Sequence, residues 1–328
     1  MYRFSDIWGN ARLVTHLYRA LQENKVSHAC LFTGRKGMGK KMLAHTFAMA
    51  LECEGEGEKP CGHCASCSAF LSGTHPDILT VRPTKKTLGV DDVREQILED
   101  IPLKQYRYRY KIYLVEQADT MTVQAQNALL KILEEPPSYG IFLLMAERVE
   151  GFLPTVLSRT VVLQMQPVPA HEIEKYLQTK KMLSQAEAAV YSTYAQGSIG
   201  QALSLLEDVD FHKMRQDILD KLERLPKTPL AEVLLWAKEL EVYKNDLRFL
   251  DIMLLWYRDI LAAECTHKPS FIIQKDIQEE ILEHTGTEAA DAARQADAIA
   301  NARRRLTQNA NFRLTMEVML MQLKGEKT

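Results

Sequence analysis

The segment Gly34-Arg35-Lys36-Gly37-Met38-Gly39-Lys40-Lys41 constrains the fold more than any other stretch of the chain. It satisfies the phosphate-loop pattern G-x-x-x-x-G-K-[S/T] except at its last position, where Lys41 replaces a hydroxyl. Such a loop needs a strand before it and a helix after it, so that its backbone N–H groups converge on one anion. Both flanks are present. Ala29-Cys30-Leu31-Phe32 is a short apolar run ending at Thr33-Gly34, and Met42 through Leu51 has helical spacing. Gly34, Gly37 and Gly39 permit close backbone approach to phosphate, and Lys40 is placed to reach the β- and γ-phosphates. The hydroxyl missing at position 41 normally ligates the Mg²⁺ that bridges those phosphates. The loop predicts a nucleotide-binding fold whose metal chemistry has decayed.

The rest of the first half agrees. Strand-like runs recur at 77–81, 110–115 and 141–145, separated by helical segments at 91–98 and 121–134. Apolar strands alternating with helices indicate a parallel α/β sheet covered on both faces. The run at 110–115 should carry the acidic half of an ATPase site, an Asp for Mg²⁺ followed by a Glu to orient water. The chain has Glu116 and Gln117 there, and Gln117 has no carboxylate to polarise water. After Gln166-Pro167-Val168-Pro169 no β-rich run appears. Residues 170–205 read as a small helical unit. Residues 208–328 read as amphipathic helices broken near Pro226 and Pro269, with Leu234, Leu235, Leu240, Leu247, Leu250, Leu254, Leu255, Trp236 and Trp256 as bundle core. The fold class is therefore α/β plus all-α.

Six cysteines fall into two groups. Cys30 and Cys265 are isolated among apolar neighbours and read as core residues. Cys53, Cys61, Cys64 and Cys67 cluster, the last three as C-x-x-C-x-x-C. Four thiolates at tetrahedral distance describe a structural Zn²⁺ site with no position open for chemistry. An iron–sulfur cluster would use the same donors, a disulfide pair is the plain alternative, and His63 and His75 are substitute ligands. Composition adds exclusions rather than assignments. A net charge of −2 advertises no global basic field for nucleic acid, although a local patch is compatible with it. No apolar run approaches the roughly 18 residues of a membrane span, and the first residues lack a signal-peptide core, so a cytoplasmic location is expected.

The residues also resemble a known family. Phe4-Ser5-Asp6-Ile7-Trp8-Gly9-Asn10, His28 through Gly34, and Gln126-Asn127-Ala128-Leu129-Leu130-Lys131-Ile132-Leu133-Glu134-Glu135-Pro136-Pro137 are similar to segments of the bacterial replicative clamp-loader subunits, as is the zinc module after the phosphate-loop helix. Leu157-Ser158-Arg159-Thr160 resembles the family's Ser-Arg-Cys motif, with Thr160 in place of cysteine. The resemblance implies an AAA+ α/β domain at 1–166 with a zinc-binding insertion at 53–67, a helical lid at 167–207 and a helical collar for oligomerisation at 208–328. It implies DnaX (gamma/tau) and delta subunits as partners in a ring-like pentamer. Through that complex it implies contact with the β sliding clamp and primer-template DNA, and no membrane. The family's ATPase members carry an arginine in G-S-x-R-x-A-L, where this chain has Gly200, and a polar sensor residue where it reads Met145-Ala146-Glu147. Losses on four elements resemble the non-hydrolysing branch of the family, not its DnaX motors. Arg159 is intact, and the resemblance implies an arginine finger reaching a neighbour's ATP site. ATP or ADP held by Gly34, Gly37, Gly39 and Lys40 without hydrolysis is compatible with this reading.

Overall fold

The structure is a computed structural model that describes residues 2–285 and 289–325. The chain forms two compact units, one of Met1–Tyr176 with Ala195–Gln201, the other of Leu177–Tyr194 with Ala202–Thr328.

The first unit is built on a five-stranded sheet of order β2-β3-β4-β1-β5, all pairs parallel. Its elements run α1 (Ala11–Gln22), β1 (Ala29–Thr33), α2 (Lys40–Leu51), α3 (Ala65–Leu71), β2 (Ile78–Val81), α4 (Val90–Val93), β3 (Lys111–Val115), α5 (Val123–Glu134), β4 (Gly140–Ala146), α6 (Pro154–Leu157) and β5 (Val161–Gln164). Strands β1, β3 and β4 are buried along their whole length. Successive side chains alternate between faces, so two cores form. On one face Phe32, Leu114 and Leu143 pack with Leu17 of α1 and Leu43 and Phe47 of α2. On the other, Leu31, Tyr113 and Phe142 pack with Leu129 and Leu133 of α5. Helix α5 is capped by the Thr122 side chain, which accepts the Ala125 N–H.

The sequence reading found four of the five strands. It missed β5, a short edge strand whose Val161 and Val162 are both exposed and which therefore lacks the signature of a buried parallel strand. The helix expected at 91–98 is α4 continued by a π-helical turn at Arg94–Leu98.

The helices continue as α7 (Ala170–Lys181), α8 (Gln185–Tyr194), α9 (Ile199–Glu207), α10 (Val209–Arg224), α11 (Leu230–Glu239), α12 (Arg248–Thr266), α13 (Gln278–Glu283), α14 (Ala289–Thr307) and α15 (Phe312–Lys324). Within the second unit α12 is central, burying Phe249, Leu250, Met253 and Trp256 in one large apolar cluster. The Asp259 carboxylate is fully buried and accepts the N–H groups of Ile273 and Gln274, which fixes the chain after the break at Pro269. Two sequence expectations are corrected here. Cys265 is exposed in the last turn of α12, beyond the reach of the core, and Leu235 is exposed rather than part of the stripe. Cys30 is buried as expected, and burial pushes its thiol up to about 12. In the run Arg303-Arg304-Arg305 of α14, Arg303 pairs with Asp251. No described helix is long and apolar enough to cross a membrane.

Candidate functional site: a phosphate loop without its metal corner

The phosphate loop joins the C-terminal end of β1 to α2, as its pattern requires. Gly39 caps α2 at a φ of 92°, a left-handed conformation that side chains resist. Gly37 also has a positive φ, and it meets a second constraint. Its carbonyl accepts the Gly200 N–H at 2.9 Å, while the Ser198 hydroxyl donates to the Lys36 carbonyl at 3.1 Å. The first turn of α9 is thus seated on the loop.

That contact gives Gly200 a physical role. A Cβ at position 200 would lie 2.6 Å from the Gly37 oxygen and 2.7 Å from its Cα. No residue with a side chain fits without moving backbone. In an open helix Gly→Ala gains up to about 1 kcal/mol. Here Gly200→Ala should instead destabilise by roughly 1–3 kcal/mol, the usual cost of overpacking. Chemical denaturation measures it, and an equal or higher midpoint for the variant would refute the contact.

Lys40 is turned onto its own loop. Its ammonium donates to the Gly34 carbonyl and, at 2.9 Å, to the Arg35 carbonyl. Burial lowers its pKa, while Glu147 and Asp119 act in the opposite direction. The Asp119 carboxylate accepts the N–H of Glu147, the residue after β4, at 3.0 Å.

The residues that the sequence reading places at the Mg²⁺ position form an ion-pair cluster. Lys41 Nζ lies 2.8 Å from Glu116 Oε1, and Arg82 donates to both Glu116 oxygens at 3.2 and 3.3 Å. Burial pushes the Glu116 carboxyl up, but Lys41 and Arg82 together outweigh it and hold the group below the usual glutamate range. The carboxylate that would help ligate a cation is already neutralised from two sides. Lysine, with three donors and no acceptor, cannot ligate an ion itself. Arg82 escaped the sequence reading. Val81 pairs with Val115 in the parallel register, so the next residues of the two strands, Arg82 and Glu116, are neighbours. That signal becomes readable only once β2 is known to lie beside β3.

Arg159 sits between α6 and β5. Its Nη2 pairs with Glu134 Oε1 of α5 at 2.9 Å, and its Nη1 donates to the Thr155 carbonyl and the Ser158 hydroxyl. The side chain remains about one-third exposed. Glu134 is the second partner the sequence did not reveal.

The four clustered cysteines converge. Their sulfurs all lie within 4.8 Å of one another. The Cys61–Cys67 separation of 3.9 Å matches the edge of a tetrahedron with metal–sulfur bonds of about 2.3 Å, roughly 3.8 Å. It is far too long for a disulfide, and all six cysteines are free. Backbone N–H groups of Cys61, Cys64 and Cys67 point at the sulfurs of Cys53, Cys61 and Cys64. Such donors stabilise thiolate. The Cys61 thiol is held down to about 6, chiefly by the His63 N–H, whereas burial pushes Cys53 and Cys67 up. His63 bonds the Cys61 carbonyl, and His75 bonds Ser66 and the Asp77 N–H, so neither histidine joins the donor set. The four residues can hold a metal ion.

A five-stranded parallel sheet carrying a phosphate loop, followed by helices, makes a phosphate-loop α/β domain with a helical C-terminal part. Residues 9–169 match the family described as DNA polymerase III, delta subunit. The chain is 28% identical over 317 residues to DNA polymerase III subunit delta' of Bacillus subtilis, covering 95% of each chain. It is 35% identical over 194 residues to subunit delta' of Escherichia coli, 58% of each. It is also 33% identical over 210 residues to subunit tau/gamma of Haemophilus influenzae, 62% of this chain but 30% of that one. The chain is thus similar, over nearly its whole length, to a delta' subunit of bacterial DNA polymerase III and, over part of its length, to a tau/gamma subunit.

Proposed function

We propose that this chain is a non-hydrolysing clamp-loader subunit of the delta-prime type, which assembles with DnaX and delta subunits and donates Arg159 to a neighbouring ATPase site. The observation that carries the reading is the Lys41–Glu116–Arg82 cluster, because it places fixed cations in the corner where a motor holds Mg²⁺. Gly200 supports it, since an arginine at that position would collide with the phosphate loop. Nucleotide, where bound by Gly34, Gly37, Gly39 and Lys40, is held without hydrolysis and draws Lys40 off the Gly34 and Arg35 carbonyls. In this reading 1–166 is the AAA+ domain, 167–207 the lid and 208–328 the oligomerising collar. The complex places the β sliding clamp on primed DNA in the cytoplasm, and the cysteine set holds a structural Zn²⁺ remote from the chemistry.

The test is hydrolysis by the purified chain beside Lys41→Thr/Glu116→Asp, which restores the motor pattern. The wild type should show no turnover that Lys40→Ala abolishes. Wild-type turnover equal to that of the repaired variant, and dependent on Lys40, would make the chain a DnaX-like motor instead.

A further inference from the structure

The near-neutral net charge leaves room for a local basic patch, and one exists away from the phosphate loop. Residues 104–111 read Lys-Gln-Tyr-Arg-Tyr-Arg-Tyr-Lys. Lys104, Arg107 and Arg109 are exposed, and Tyr106 is 84% exposed. Residues 104–110 have no regular structure, yet buried groups fix their backbone. The Asp77 carboxylate accepts the N–H groups of Tyr106, Arg107 and Tyr108 at 2.5–3.0 Å. Glu52 accepts those of Arg109 and Tyr110, and the Lys111 ammonium donates to the Asp100 and Leu103 carbonyls. Asp77 and Glu52 are almost wholly buried. The entropy of ordering this loop is spent in folding, so a ligand need not supply it.

The side chains are prepared as well. The Arg107 guanidinium lies over the Tyr108 ring at 5.3 Å and that of Arg109 over the Tyr110 ring at 4.9 Å. Of the nearby acids, Asp100 is engaged by Lys111 at 2.8 Å; a phosphate would draw Arg107 from the exposed Glu54, 3.7 Å away, and Arg109 from Asn24 Oδ1, to which it donates at 2.8 Å. Beside the loop a cleft of about 300 Å³ is lined by Tyr18, Gln22, Asn24, Lys59, Arg109 and Tyr110. Aromatic faces, amide groups and cations in one cleft suit a nucleobase with its phosphate.

We infer that the loop 104–110 and this cleft form a binding site for a short single-stranded nucleic-acid segment, with Lys104, Arg107 and Arg109 on successive phosphates and Tyr106 as a stacking platform for a base. Exposed aromatics beside backbone-tracking cations are the general means of holding single strands without sequence preference. The cysteine module buttresses the site. Ser66 of α3 bonds His75 at 3.1 Å, and the His75 ring stacks on Tyr108 at 4.5 Å.

Fluorescence anisotropy with a short labelled oligothymidylate, using the full chain, tests the site. Three phosphate contacts predict that the logarithm of the binding constant falls with the logarithm of salt at a slope of about −2. Arg107→Gln/Arg109→Gln should flatten that slope to about −0.7. Tyr106→Ala should weaken binding roughly 5- to 150-fold with the slope kept. All three side chains are exposed, and matching melting curves confirm that the variants fold. Absence of salt-dependent binding, or binding untouched by these variants, overturns the site. So does equal competition by duplex DNA, which removes the stacking role, or by polyglutamate, which moves the surface to an acidic protein.

Discussion

Exchange of Arg159 for alanine will leave the chain folded and able to assemble, and will slow ATP hydrolysis at the neighbouring site of the reconstituted loader by about 10³-fold or more. The magnitude follows from what a guanidinium does beside a γ-phosphate, where arginine fingers contribute roughly 10³–10⁵ in rate. The small effect on folding follows from exposure. Arg159 and Glu134 are about one-third and one-half exposed, and such pairs contribute about 0–1 kcal/mol. Reaching a phosphate requires Arg159 to exchange Glu134 for a more highly charged acceptor. That exchange is between like charge-assisted bonds and carries no large penalty. Arg159→Lys should rescue little, because a point charge lacks the planar fork that grips two oxygens. Single-turnover hydrolysis, measured with assembled wild-type and variant complexes, separates chemistry from assembly. An unchanged rate with intact assembly would remove the finger role.

The same residue shows how far the sequence could be read. Arg159 and the phosphate loop could both be singled out because each lies in a short motif. The loop needs a strand before it and a helix after it, and both flanks announced themselves. The ion-pair cluster was only half legible. Lys41 and Glu116 stand at motif positions, but their pairing, and the part of Arg82, depend on which strands are neighbours. Strand order is a property of the whole sheet. Gly200 was legible as a missing arginine and illegible as a contact, because its partner Gly37 is remote in sequence. Cys265 misled for a related reason. Apolar neighbours along α12 suggest a core position, but a helix buries a stripe, and its last turn rotates this thiol outward. The basic loop at 104–110 went unremarked because its exposure depends on Asp77 and Glu52, buried acids that fix its backbone.

On the reading that the cysteine set holds structural Zn²⁺, removing it by chelation or by quadruple Cys→Ser is expected to abolish stoichiometric zinc and unfold residues 53–67 while the five-stranded sheet persists. The segment has little else to hold it. Its apolar cluster comprises Met49, Cys53 and Cys67 with a few partly buried neighbours, far less than the cores on either face of the sheet. Structural zinc binds with roughly 10–16 kcal/mol of apparent free energy in small zinc peptides near neutral pH, so metal loss should outweigh every other local interaction. Because the ligands must be thiolates, affinity should fall as the pH is lowered. Hydrogen exchange locates the effect. Protection should vanish across 53–71 and weaken at Tyr106, Arg107 and Tyr108, whose loop leans on α3 through His75 and Ser66. It should hold in β1, β3 and β4, which are buried along their whole length and whose two cores take only the partly buried Phe70 from the module. Unchanged metal content in the quadruple variant would reject the ligand set. Loss of zinc with undiminished protection across 53–71 would show that the segment folds without its ion.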